Sequence, residues 1–239
     1  MTINRIAAII GAAILLASLM ANVANAQETA TLTSKYTPVY FYDSNGARFY
    51  NGPVVQSDLF VTWKSGVYAD IWTSTAGNTR LDFDKEIDVT IGYAGKVGRL
   101  NYKTELLYFV VKDGDVLDLN TEVSLGFVVS PFIRVELYKP VENTGPKQGT
   151  ILNAGLRSSF KIAPRTTLSL EVTAHRDSGA FGYDRADILS GYIGLAVAVT
   201  DRTSLLVGVT PSHPLSVVRD GRKDEAVWEV GFSRRFGGK

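Results

Sequence analysis

TILNAGLRSSFKIAPRTTLSLEVTAH, residues 150–175, decides the fold of this chain. In its first half Leu152, Ala154, Leu156, Ser158, Phe160 and Ile162 fall on one side, and Asn153, Gly155, Arg157, Ser159 and Lys161 on the other. That is the period of two that a strand imposes on its side chains. The second half repeats it, with Leu168, Leu170, Val172 and Ala174 opposed by Thr167, Ser169, Glu171, Thr173 and His175. Ala163-Pro164-Arg165 lies between the halves, and because proline cannot donate to a ladder the chain turns there. The stretch is a β-hairpin of two long strands, each with one oily face and one charged face.

The same grammar extends along the chain in both directions. Thr29 to Phe41 is a first strand, with Pro38 near its end, and Asp43-Ser44-Asn45-Gly46 marks a loop running to about Gly52. Val55, Ser57, Leu59, Val61 and Trp63 then alternate with Gln56, Asp58, Phe60 and Thr62, and Val67, Ala69 and Ile71 with Tyr68, Asp70 and Trp72. Ile87, Val89, Ile91 and Tyr93 oppose Glu86, Asp88, Thr90 and Gly92; the following strand sets Leu100 through Val110 against Asn101, Lys103, Glu105, Leu107 and Phe109. After a loop opened by Lys112-Asp113-Gly114-Asp115, Val123, Leu125 and Phe127 oppose Glu122, Ser124 and Gly126, and Ile133, Val135 and Leu137 oppose Arg134 and Glu136. Beyond the central hairpin, strands are read at Tyr192–Val199, Leu205–Thr210 and Ala226–Phe236, the last with Glu229 on its polar face.

This gives twelve strands. Every second connection is short, at Lys64–Gly66, Gly95–Gly98, Ser130-Pro131, Ala163–Arg165 and Thr200–Thr203, and the others run to roughly eight to fourteen residues. Short periplasmic turns alternating with long outer loops, and an even strand number, are the marks of a single-chain transmembrane β-barrel. Met1 to Ala26 carries one positive charge, Arg5, an apolar run through Met20 and then Ala24-Asn25-Ala26, the form of a cleaved secretory signal. About 15 apolar residues are short for a spanning helix, which needs roughly 20. Residues 27–239 then form one barrel domain exported to the bacterial outer membrane.

Alternation alone does not say which face is outside, because a soluble barrel would turn the same apolar face inward. Three observations favour a lipid-facing apolar side. About eight strands already fill a closed soluble barrel, and twelve are too many. The polar face is studded with Gly92, Gly126, Gly155, Gly194, Ala196, Ala198, Gly208 and Gly231, which suits a crowded lumen. Trp63, Tyr93, Phe127, Phe160 and Phe236 stand on the apolar face near the short turns as an aromatic girdle, with Tyr108 and Trp228 placed for the opposite interface.

Gly66 to Trp72, and Glu86-Ile87-Asp88 through Gly92-Tyr93 to Gly95, carry a resemblance. The segment Val54 to Gly126 resembles the Gcw-type family of proteobacterial outer-membrane proteins in its Gly-x-Tyr-Ala strand start and acidic-Ile-Asp strand. It departs from the family pattern at Val67, where an aromatic would stand. The resemblance implies a barrel with a porin-like role and supplies no catalytic residue.

Composition excludes other classes. There is no cysteine, so no disulfide or thiolate chemistry. Removing Arg5 with the signal leaves 24 Lys+Arg against 24 Asp+Glu, a balance unsuited to nucleic acid. No cofactor or metal site is expected, since the acids lack calcium-loop spacing. The expected lumen charges are Asp58, Asp70, Glu86, Asp88, Glu105, Glu122, Glu136, Glu171 and Glu229, with Lys103, Arg134, Arg157, Lys161 and Arg235. They admit two readings: a charged constriction that sorts small polar or ionic solutes by sign, or a salt-bridged plug holding the barrel shut. A closed barrel would act structurally, or through its loops Tyr42–Gly52, Pro140–Gln148, Arg176–Asp187 and Pro211–Asp224. A hydrolase would need one of the two histidines as base. His175 is read at the outer rim beside Asp177 and Ser178, and His213 in a loop, both as exposed polar residues, so no enzyme is expected. The expected partners are outer-membrane lipid, small polar solutes and the barrel-assembly machinery, which would read Trp228, Val230, Phe232 and Phe236 in the last strand.

Overall fold

The computed structural model describes residues 29–42, 47–76, 85–110, 115–141, 148–180, 185–216 and 223–237. The expected signal segment Met1–Ala26 lies outside them. Twelve antiparallel strands close into a barrel: β1 (Thr29–Thr37), β4 (Val54–Thr62), β5 (Val67–Ala76), β6 (Lys85–Val97), β7 (Leu100–Val110), β8 (Val116–Leu125), β9 (Ser130–Pro140), β10 (Gly149–Ala163), β11 (Thr166–Ser178), β12 (Ala186–Ala198), β13 (Thr203–Pro214) and β14 (Glu225–Gly237). Each pairs with its sequence neighbour, and closure comes from β1, which takes β14 on one side and β4 on the other. Closure satisfies every ladder and leaves no edge, the condition a sheet must meet to sit in lipid.

The apolar face is outside. Ile91, Leu106, Leu119, Val123, Ile133, Leu137, Leu156, Val172, Ile193, Val197, Leu205, Val207 and Val230 are all exposed large hydrophobics, too many and too contiguous for a surface in water. Asp88, Glu105, Asp118, Asn120, Glu122, Glu136, Asn153 and Thr173 are buried on the inner face. This is the inverse of a soluble core and the signature of a transmembrane barrel. Short links close one end. At Trp63–Gly66 the Gly66 amide donates to the Trp63 carbonyl at 3.0 Å, and Gly66 takes a left-handed φ of 90°, which glycine enters without the Cβ clash other residues meet.

Three parts of the sequence reading are corrected. The first strand does not run to Phe41. It stops at Thr37 because Pro38 brings no N–H to the ladder, and Tyr40–Tyr42 (β2) leaves the barrel to pair with Ala47–Tyr50 (β3). The region expected as a loop from Tyr42 to Gly52 is therefore largely a short hairpin at the long-loop end. Second, β8 starts at Val116, so the charged link before it is short and Asp118 and Asn120 join the inner face. Third, β11 and β13 run further than expected, to Ser178 and Pro214, which carries β11 past His175 and places His213 on a strand.

Candidate functional site

The site is the barrel interior, and pairing register fixes its rows. Across β4, β5 and β6 one row reads Asp58, Trp72, Asp88, with each side chain opposite the next. The row towards the short turns reads Phe60, Asp70, Thr90, and the row towards the loops reads Gln56, Ser74, Glu86. Further round come Lys103 opposite Glu122, Glu122 opposite Arg134, Glu136 opposite Asn120 and Ile151, and Arg157 opposite Glu171. Lys161 stands by the β10–β11 turn opposite Thr167, Arg235 lies opposite Thr31, and Glu229 opposite Gly208.

The two sides of this interior differ in how charge is compensated. On β7 to β10 three ion pairs form, Lys103 to Glu105 at 2.8 Å, Arg134 to Glu136 at 3.0 Å, and Arg157 to Glu122 at 2.5 Å, while Asp118 on β8 keeps one buried oxygen without a hydrogen-bond partner. Glu105 also accepts from Tyr68 Oη at 2.5 Å and from Asn120 Nδ2 at 2.9 Å. Lys35 reaches Glu229 at 2.9 Å from β1, and Tyr192 Oη donates to the same oxygen at 2.9 Å. On β4 to β6, by contrast, no described lysine or arginine forms an ion pair with Asp58, Asp70, Glu86 or Asp88. An oxygen of each of Asp58, Asp70 and Asp88 is buried without a hydrogen-bond partner.

His175 is corrected outright. It is 3% exposed and faces the interior. Its Nδ1 lies 2.5 Å from Asn153 Oδ1, its Nε2 lies 2.6 Å from Ser190 Oγ, and Asn153 Nδ2 donates to Glu136 Oε1 at 2.6 Å. The chain Arg134–Glu136–Asn153–His175–Ser190 spans four strands. Ser178, beside His175 in sequence, is exposed and takes no part in it. His213 is exposed and sits 2.6 Å from Asp224.

Among the described residues, two interior cavities flank the charged belt. One of about 490 Å³ lies towards the short turns, lined by Lys96, Asn101, Lys103, Glu122, Ser124 and Arg157. The other, of about 230 Å³, lies among Lys35, Thr37, Gln56, Tyr192, Thr210 and Glu229. Over the loop end, the β2–β3 hairpin turns inward: Tyr40 and Tyr50 cluster with Val54, Ala76 and Trp72, Tyr40 Oη donates to Glu86, and Arg48 donates to Glu225 on β14. Sequence reasoning missed this hairpin as a site element. The signal available was Tyr40 and Tyr50 bracketing the loop.

Of the girdle residues, Tyr93 and Phe127 are exposed on the outer face, while Trp63, Phe160 and Phe236 are half-buried at the same end. Tyr108 donates to Asp115 at 2.6 Å, and Trp228 lies with its ring centroid 5.7 Å from that of Tyr36.

No family model matches the chain, and no curated protein matches it. Solved structures do. The barrel is similar to the NanC porin, with a TM-score of 0.58 and 13% identity over 86% of this chain and 98% of that one. It is similar to the KdgM porin, with a TM-score of 0.59 and 9% identity over 86% and 98%. An outer membrane channel from Pseudomonas putida F1 gives a TM-score of 0.54 and 10% identity over 87% and 95%. The fold is that of an outer-membrane porin barrel. At these identities the likeness extends to the fold and not to the lumen side chains.

Proposed function

We propose that this protein is a narrow outer-membrane channel for passive diffusion of small polar or ionic solutes. The observation that carries the reading is the inner wall itself: a largely polar and charged surface, interrupted by the apolar cluster of Phe109, Val116, Tyr138 and Ile151, that lines cavities of about 490 and 230 Å³ inside a shell whose outer face is apolar. Rings of charged side chains in such a wall sort solutes by sign and size. The porin fold supports this, and one of the similar structures, KdgM, was solved in complex with oligogalacturonate. Export by the Met1–Ala26 signal, recognition of the last strand by the barrel-assembly machinery, and membership of the Gcw-type family through Gly66–Trp72 and Glu86–Gly95 belong to the same proposal.

A second reading is supported by the Arg134–Glu136–Asn153–His175–Ser190 network and the inward hairpin: a closed barrel whose interior charges serve cohesion and whose outer loops make contacts. Single-channel recording of the refolded protein in a planar bilayer separates the two. Stable unitary steps are expected. A folded, inserted protein that passes no current overturns the channel reading in favour of the closed barrel.

A further inference from the structure

The inner wall uses one arrangement twice. Lys103 Nζ sits 2.8 Å from the Glu105 carboxylate and 5.5 Å from the centroid of the Tyr68 ring. Lys35 Nζ sits 2.9 Å from the Glu229 carboxylate and 6.0 Å from the centroid of the Tyr192 ring. In both places an ammonium group is held between a carboxylate and an aromatic face, and the barrel supplies all three parts. An ammonium over a ring is attracted by the ring quadrupole, and more strongly where water is thinned out.

On β4, β5 and β6 the same parts recur without an ion-paired ammonium, since Lys35 and Lys103 on the flanking strands β1 and β7 are paired with Glu229 and Glu105 instead. Trp72 stands directly between Asp58 and Asp88 in one row, two residues along β5 from Asp70 and diagonal to Glu86 on β6. Side chains directly opposite on neighbouring strands have Cβ atoms about 5 Å apart, within reach of one bound ion. Asp88 is 8% exposed, faces inward and receives no hydrogen bond from any described residue. Asp58 and Asp70 are diagonal neighbours on paired strands, and close carboxylates relieve their repulsion by sharing a proton or taking a cation between them. A buried carboxylate left unpaired is costly, and here several share a wall with an indole ring that packs against Tyr40, at a centroid distance of 5.9 Å and tilted by 43°. Among the described residues no three carboxylate or imidazole groups converge as a metal centre requires. The acids are spread around a ring, which suits a cation that is broad, weakly hydrated and partly apolar.

We infer that the Asp58–Trp72–Asp88 row is a binding site for small organic ammonium ions, with Trp72 as the aromatic face and the two aspartates as counter-charges. The inference rests on the channel reading for the route by which the ion reaches the wall.

The test uses the folded barrel in detergent micelles, with Trp63→Phe and Trp228→Phe so that Trp72 is the one fluorescent indole. Titration with tetramethylammonium chloride is expected to change its emission saturably. Sodium or calcium chloride at matched ionic strength leaves it unchanged. Asp88→Asn, which removes a buried charge and keeps the barrel folded as judged by heat-modifiable gel mobility, shifts the midpoint at least tenfold upward. Emission that follows ionic strength alone, that responds equally to sodium or calcium, or that is indifferent to Asp88→Asn overturns the inference. Recording in bilayers with tetramethylammonium added to potassium chloride separates the two claims. A conducting channel slowed by tetramethylammonium in wild type, and roughly fivefold to thirtyfold less so in Trp72→Leu, supports both. A conducting channel indifferent to tetramethylammonium overturns the inference and leaves the channel standing. A silent barrel with saturable emission overturns the channel and leaves the site.

Discussion

Glycine on the inner face is a packing residue here. A Cβ on Gly92 would lie 2.3 Å from Tyr68 Cζ and 2.8 Å from the Thr104 carbonyl oxygen, and Tyr68 is held in place by its bond to Glu105. Gly92→Ala is expected to cost about 1 to 3 kcal/mol through overpacking, read as a lower urea midpoint for unfolding from liposomes. Glu105 and Glu122 sit where the lumen charges are paired, so replacing both with glutamine frees Lys103 and Arg157 from their partners. In a conducting barrel this shifts the reversal potential in a salt gradient towards anions, and an unchanged reversal potential would take these two residues out of the selectivity region. Which residues face inward was legible from alternation, glutamate by glutamate. Which of them touch was not. The partners of His175 lie 22 and 15 residues away in sequence and meet it because of strand register, whereas Ser178, three residues away, points elsewhere.

At the scale of elements, the β2–β3 hairpin is the part that alternation misassigned. Pro38 was visible as a weak point in the first strand, but its result, a strand that leaves the barrel and folds inward, depends on Tyr40 and Tyr50 finding Val54, Ala76 and Trp72. β2 and β3 contribute no hydrogen bond to the barrel ladder. Replacing residues 39–51 with a short Gly-Ser turn is therefore expected to leave a folded, heat-modifiable barrel and to raise unitary conductance by uncovering the mouth. Unchanged conductance would mean that the narrowest point lies deeper, among the paired charges. The late start assigned to β8 has a simpler cause: Asp118 and Asn120 are turn-forming types, and in β8 they are instead buried on the inner face of a strand.

For the whole molecule, the decisive property is which face meets lipid. Val172, midway along β11, is 44% exposed, and it lies opposite Leu156 on one side and Gly191 on the other. Val172→Arg is expected to cost roughly 2 to 4 kcal/mol, the range for a base on the lipid face near the bilayer midplane, measured by reversible unfolding from lipid vesicles. A neutral effect would contradict the lipid-facing assignment. The sequence by itself determined the twelve barrel strands in outline, their even number, the five short turns and the inward facing of most lumen charges, because each of these follows from a period of two and from turn residues acting over a few positions. Only the tertiary structure decided that β1 closes on β14, that the first long connection folds over the mouth, and that Lys103, Arg134 and Arg157 pair with glutamates on β7 to β9 while the acids of β4 to β6 take no ion pair. Those are relations between strands, set by register and closure, and no local pattern along one strand encodes its distance to the next.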